Sequence, residues 1–258
     1  MDLKKLNSLT KYPSILTYHQ MAERGRLLEV LSEGTGFTEA EDVFIYEKVD
    51  GENARLIFFK NSAGEADYII GSREELLYAK GDRIGNPYGF IAEFLKPLAE
   101  RLAPVIFAQG DLALTVIYQE SYGGKTKAAK NYTHTKTQGY RVFDAFSLEQ
   151  AELERLLSLP QDKIAEWRDQ GRQPFYAETD KRTLIEKWEV EAAPLLTEVK
   201  GADVPITLGE LYSFLKSFEE TRVGMDAHGK SEGIIARTAD RKLIRKIRFE
   251  DYERTFRN

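Results

Sequence analysis

The hydrophobic period of the chain changes several times, and those changes limit the fold more than any other feature. Val43 to Val49, Ala54 to Lys60 and Asp67 to Gly71 are rich in β-branched and aromatic residues and are separated by Gly, Asp and Asn, the pattern of antiparallel strands. Strand-like runs return at Pro104 to Ala108, Ala113 to Gln119 and Tyr140 to Phe146, and two more, Glu232 to Arg237 and Lys242 to Phe249, close the chain. Helical spacing lies between them. Thr17 to Leu31 is expected to be a helix, with Thr17-x-x-Gln20 as capping box and Leu27, Leu28 and Leu31 inward. Phe90, Ile91, Phe94, Leu95, Leu98 and Leu102 predict a second, which Pro97 should kink or shorten. The stretch from about 147 to 225 reads as mostly helical and ends in a helix capped by Thr207-x-x-Glu210. A β-core interrupted by a helical insertion is an α+β fold, here expected as one domain over residues 1–258.

Composition narrows the chemistry. With no cysteine in 258 residues, disulfides, thiolate zinc sites, iron–sulfur clusters and cysteine nucleophiles are excluded, and His19, His134 and His228 are too scattered for a histidine zinc site. Any metal should be hard and held by carboxylates. No apolar run approaches a membrane span, and the start, Met1-Asp-Leu-Lys-Lys, lacks a signal-peptide core, so no membrane partner and a cytoplasmic location are expected. The net charge of −5 is local: twelve acidic and seven basic residues lie between Glu149 and Glu198, leaving the remainder formally neutral. Outside that region, Ser121 to Arg141 carries Lys125, Lys127, Lys130, Lys136 and Arg141 without an acidic residue, interleaved with Tyr122, Tyr132 and Tyr140. This is the pattern of a polyanion-binding stripe, or of a solvated loop that happens to be basic.

Glu47-Lys48-Val49-Asp50-Gly51-Glu52-Asn53 puts a lysine at the end of an apolar strand, directly before a turn. Alternation places Lys48 and Asp50 on one face, and the glycine lets backbone approach a ligand. Asp-Gly is also a common hairpin turn, so these residues alone read as readily as structure. Further elements in fixed order alter that balance. Lys48-Val49-Asp50-Gly51 resembles the Lys-x-Asp-Gly motif of the covalent nucleotidyltransferase superfamily of polynucleotide ligases and mRNA capping enzymes. Ser72-Arg73 is similar to its Ser-Arg motif, although Ser72-x-x-Glu75 is equally a helix cap. Glu120 in Glu120-Ser121-Tyr122-Gly123-Gly124 resembles its ribose-binding glutamate, and Phe143 its purine-stacking aromatic. Glu232-Gly233-Ile234-Ile235 resembles the metal-binding strand, and Lys246-Ile247-Arg248 the closing basic motif, with Arg248 in place of a second lysine.

The resemblance implies a nucleotidyltransferase core of antiparallel sheets with flanking helices, and, in a departure from the family, no C-terminal OB-fold is expected because the sequence ends ten residues after Arg248. It implies catalysis by Lys48, Lys246 and Arg248. The nucleotide would be held by Glu47, Val49, Asn53, Arg73, Glu120, Phe143, Lys246 and Arg248, and magnesium or manganese by Glu232 and Glu120. Lysine, ordinarily near pKa 10.4, must lose its proton to attack phosphorus, and burial beside Lys246 and Arg248 would disfavour the ammonium form. Asn53 stands where DNA ligases carry arginine, so an ATP-dependent RNA ligase is implied, although Asp50 is a residue many RNA ligases lack. The substrate would be RNA with 5′-phosphate and 3′-hydroxyl ends, in a nicked duplex, with Lys125, Lys127 and Lys130 on its backbone and a protein partner possible in place of the absent domain. A GTP-specific capping guanylyltransferase, a minimal DNA ligase core and a noncatalytic RNA-binding module remain as alternatives.

Overall fold

The computed structural model describes residues 2–79, 89–107 and 112–257. Two antiparallel sheets dominate it, and their strand order follows from where hydrophobic runs are buried on one face or on two. After β3 Asp42–Lys48, which belongs to the second sheet, the strands β4 Glu52–Lys60, β5 Ala66–Ser72, β6 Leu76–Ala79, β7 Leu112–Gly123 and β8 Gln138–Glu149 form the first, five-stranded sheet in the order β6-β5-β4-β7-β8. Along β4, Leu56 and Phe58 join one core while Ile57 and Phe59 join another, so this sheet is covered on both sides. Helix α2, Gly89–Phe107, lies in the first core; α1 Leu3–Thr10, α3 Gln150–Ser158 and α4 Gln161–Asp169 lie in the second.

The second sheet has the order β11-β10-β3-β9, with β9 Leu195–Lys200, β10 Gly233–Thr238 and β11 Ile244–Arg248. Val43, Ile45, Ile234, Ala236 and Ile247 point to a third core shared with α6, Leu208–Lys216, and α7, Phe249–Phe256. The alternate residues of β3, β10 and β11 therefore face the other way, toward the five-stranded sheet, and a cavity opens between the two. Helix α5, Glu178–Trp188, completes the wall behind β3.

Several expectations are corrected. Residues 17–31 form no α-helix: β1 His19–Met21 and β2 Leu27–Leu31 pair antiparallel, and a single 3-10 turn at Glu23–Gly25, with Arg24 and Gly25 at φ 63° and 74°, turns the chain between them. Thr17 Oγ1 donates to the His19 carbonyl rather than capping a helix, because Tyr18 N is taken by the Lys246 carbonyl at 3.2 Å and the segment is drawn onto β11. The strand expected at 104–108 is helix as far as Phe107, and Ala108 lies outside the described residues. Ile106 continues the buried spacing of Ile91, Leu95, Leu98 and Leu102, which outweighs local β-propensity and both prolines. Ser72 Oγ does accept from Glu75 N, at 3.1 Å, but the bond closes the β5–β6 turn and caps nothing. The stretch 147–225 holds helices α3 to α6 together with β9, which pairs with β3.

Candidate active site

Period-two alternation on the smaller sheet produces two cross-strand rows facing the cavity. Lys48, Gly233 and Arg248 form one across β3, β10 and β11; Tyr46, Ile235 and Lys246 form the next. Gly233 is fixed by geometry: at φ 152° a Cβ there would lie 2.1 Å from the Ile247 carbonyl oxygen, and without a side chain in the middle of the row both flanking cations keep access to one space. The larger sheet contributes a third row, Asn53, Glu120 and Arg141, across β4, β7 and β8. Gly51 joins the two sheets, since a Cβ would sit 2.2 Å from the Ser121 carbonyl oxygen. The cavity measures about 660 Å³, within the range of nucleotide-sized sites.

Charge is concentrated at one end. Lys48 Nζ pairs with the Glu232 carboxylate, and Arg248 Nη1 lies 4.0 Å from the same group. Asp251 holds Arg248 through two bonds of 2.8 Å. Burial, followed by the neighbouring Arg248 and Lys48, lowers the pKa of Lys246. Glu120 is pushed up to about 8, by burial first and then by Glu232 and Asp50, against the attraction of Lys48. The other end is apolar, where Tyr46, Phe143, Ala193 and Ile235 pack as a slot of the shape a flat base needs. Phe143 is fixed there by Tyr12, edge-on at 5.1 Å.

The remaining expected residues are distributed as follows. Glu47 borders the cavity, but its buried carboxylate accepts from Thr221 Oγ1 and from Arg222 N at 2.8 Å, and burial raises its pKa. Val49 points away into a small core with Tyr122, Ala128, Tyr132 and Val223. Asn53 lines the cavity with its Oδ1 buried and unpartnered among the described residues, an acceptor available to a ligand. Arg73 reaches the rim, exposed, 3.4 Å from Ser14 Oγ. Lys125, Lys127 and Lys130 are exposed on the β7–β8 loop outside the cavity. Tyr122 and Tyr132, read as part of the same stripe, are instead buried and packed edge-on at 5.0 Å, so neither can stack on a nucleic acid base. Sequence reasoning missed Tyr46, Ile235 and the cavity position of Arg141; counting by two from Lys48, Gly233 and Phe143 would have found all three.

A divalent cation fits this donor set. Among the described residues no group of three or more histidine or carboxylate side chains forms a complete cage. Burial, and after it the neighbouring Glu232 and Asp50, nevertheless raise the Glu120 pKa, a penalty that a hard cation sharing its coordination with phosphates would relieve.

A lysine at a strand end, with a basic pair beside it on the same sheet and a second antiparallel sheet across the cleft, is the arrangement of a nucleotidyltransferase fold. The RNA ligase family model matches residues 41–253, and the chain belongs to that family. A mutant of Naegleria gruberi RNA ligase solved with ATP and Mn is similar over 96% of this chain and 62% of its own, with TM-score 0.56 and 14% identity. The same ligase with PPi gives 95% and 63%, TM-score 0.53 and 13% identity. An archaeal ATP-dependent RNA ligase gives 94% and 49%, TM-score 0.55 and 15% identity. At such identities the likeness concerns the fold, and the chain spans less than two thirds of these structures. No curated protein matches the sequence.

Proposed function

We propose that the protein is an ATP-dependent RNA ligase that works through a nucleotide covalently bound to Lys48. The observation that carries this reading is the Lys48–Gly233–Arg248 row with Lys246 beside it, which surrounds one amine with the cations that a transferring phosphoryl group needs. The base occupies the slot between Phe143 and Ile235, and the ribose hydroxyls bond to Glu120. Lys48 Nζ leaves Glu232, gives up its proton to solvent and attacks the α-phosphorus; the P–N bond forms as the α–β P–O bond breaks and pyrophosphate departs. Lys246 and Arg248 stabilise the charge that builds on the α-phosphate oxygens. Glu232 and Glu120 would hold magnesium or manganese, which when bound would supply further neutralisation of charge on the phosphates. The adenylyl group then passes to an RNA 5′-phosphate, freeing Lys48, and a 3′-hydroxyl attacks that phosphate and expels AMP. The magnesium preference, the duplex nick as substrate and a role in RNA repair in the cytoplasm belong to this same reading, as does a partner protein that grips the RNA. The single-domain organisation with an insertion at about 147–225 does too.

Sealing tests it. A labelled 5′-phosphate at a nick should be joined efficiently when the adjacent 3′-hydroxyl strand ends in ribonucleotides, because the 2′-hydroxyl is what separates RNA from DNA at that point. Equal joining of all-DNA nicks would move the protein to the DNA ligases, and covalent labelling by GTP rather than ATP would make it a guanylyltransferase.

A further inference from the structure

The peptide carrying Lys48 is gripped from outside the cavity, on both sides of the lysine, by one connected pair of segments. On its C-terminal side the Asp50 backbone N–H donates to the Tyr132 hydroxyl at 2.7 Å. On its N-terminal side the Glu47 carboxylate accepts from Thr221 Oγ1 and Arg222 N. The two anchors meet behind the lysine: the Tyr132 carbonyl accepts from Met225 N at 2.8 Å, and the Asn131 carbonyl from Gly229 N at 2.8 Å. Asp226 fastens the junction by accepting from His134 N at 2.8 Å and Thr135 Oγ1 at 2.9 Å. Val49, the only residue between Lys48 and Asp50, is packed against Tyr132, Ala128 and Val223 in the same junction. Tyr132 itself is fully buried and lines none of the cavity.

An aromatic ring would satisfy the packing alone. The hydroxyl does something a phenylalanine could not: it supplies the acceptor for a backbone N–H that turns away from every strand partner just where the lysine leaves β3. A hydrogen bond of this kind limits rotation of the 49–50 peptide, and with it the direction in which the Lys48 side chain leaves the backbone. Burial raises the Tyr132 pKa, so the hydroxyl stays protonated and neutral throughout the working range. The same loop presents Lys125, Lys127 and Lys130 to solvent on its outer side.

We infer that Tyr132 is a positioning residue for nucleotide transfer: its hydroxyl holds the Asp50 amide so that Lys48 Nζ is aimed at the α-phosphorus. This rests on the reading of Lys48 as the nucleophile. Because Tyr132 does not touch the nucleotide, the Tyr132→Phe variant should bind ATP with unchanged apparent affinity. Its single-turnover rate of self-adenylylation should fall about 5- to 20-fold, the scale of a small error in the aim of a reacting group. Once the reaction is complete, the labelled fraction should equal that of wild type. A merely structural role gives the opposite split, with a reduced labelled fraction and an unchanged rate constant, and that result, or a wild-type rate, would overturn the inference. A second readout needs no variant. In the wild-type protein the Asp50 amide should exchange with deuterium as slowly as its neighbours within β3, and exchange at the rate of an exposed turn would equally overturn it. Absence of any label on the wild type, or label that persists in Lys48→Ala, defeats the covalent reading itself and not the role of Tyr132.

Discussion

At Glu120, burial and the charges of Glu232 and Asp50 hold the carboxyl at about 8, whereas in an unfolded chain it ionises near 4.5. Between those values the unfolded chain has released a proton that the folded one retains. Stability from this site is therefore full below pH 4.5 and is lost progressively as pH rises to 8. Glu120→Gln should remove the loss. Its melting temperature should match wild type near pH 5 and exceed it near pH 8, by the equivalent of about 1–2 kcal/mol once solvent screening of a half-open site is allowed for. A gap that does not widen with pH would contradict the assignment. Lys246 makes a second case: its variant to Ala should slow self-adenylylation about 100-fold in single-turnover assays while folding normally, since the group stabilises developing charge and holds no core together. A wild-type rate would place Lys246 outside the reaction. Both residues were legible in the sequence through the motif resemblance that singled them out, and strand alternation added that Lys246 and Arg248 share a face. Tyr122 and Tyr132 were not, because a tyrosine in a basic stretch can face the core or the solvent, and only tertiary packing decides.

At the level of elements, the segments that were misread are those whose conformation is set by distant partners. Residues 17–31 carry a helical apolar spacing, yet the pairing with β11 and the turn at Gly25 prevail. In β9 the sequence Leu-Leu-Thr-Glu-Val-Lys has no strong pattern and becomes a strand because β3 offers an open edge. Among the strands that build the site, β3, β4, β10 and β11 were read with nearly their observed bounds, since each is an apolar run bounded by turn residues. The turn between β3 and β4 gives a test. Gly51→Ala would push a Cβ to 2.2 Å from the Ser121 carbonyl, and as neither is a flexible side chain the cost should be at least about 2 kcal/mol in urea denaturation. Gly209→Ala in α6, where the new methyl meets nothing within 4 Å, should be neutral or stabilising by about 0.5–1 kcal/mol. Equal effects would mean that the two sheets are not in contact at Gly51.

Across the whole molecule, the cavity and the basic loop are separate surfaces, and under the proposed function a step that needs only nucleotide should be separable from a step that needs RNA. Among the described residues no helix is long and apolar enough to cross a membrane. Reversing charge at Lys125, Lys127 and Lys130 should weaken sealing at least about tenfold more than self-adenylylation, and the sealing of the wild type should fall steeply with salt as counterion release predicts. Equal loss of both steps would contradict that division. The order of Lys48, Glu120, Glu232 and Lys246 along the chain announced the cavity's charged end, but its third wall, from Tyr12 to Ile15, was invisible because nothing local ties that segment to strands more than a hundred residues away. The proposed ligase reaction stands or falls on covalent attachment of a nucleotide to Lys48. The direct measurement is incubation with α-labelled ATP and magnesium followed by denaturing electrophoresis. Label should stay on the protein, survive alkali, be released by acid as a P–N bond requires, and be lost in Lys48→Ala; label of wild-type intensity on that variant would contradict the account.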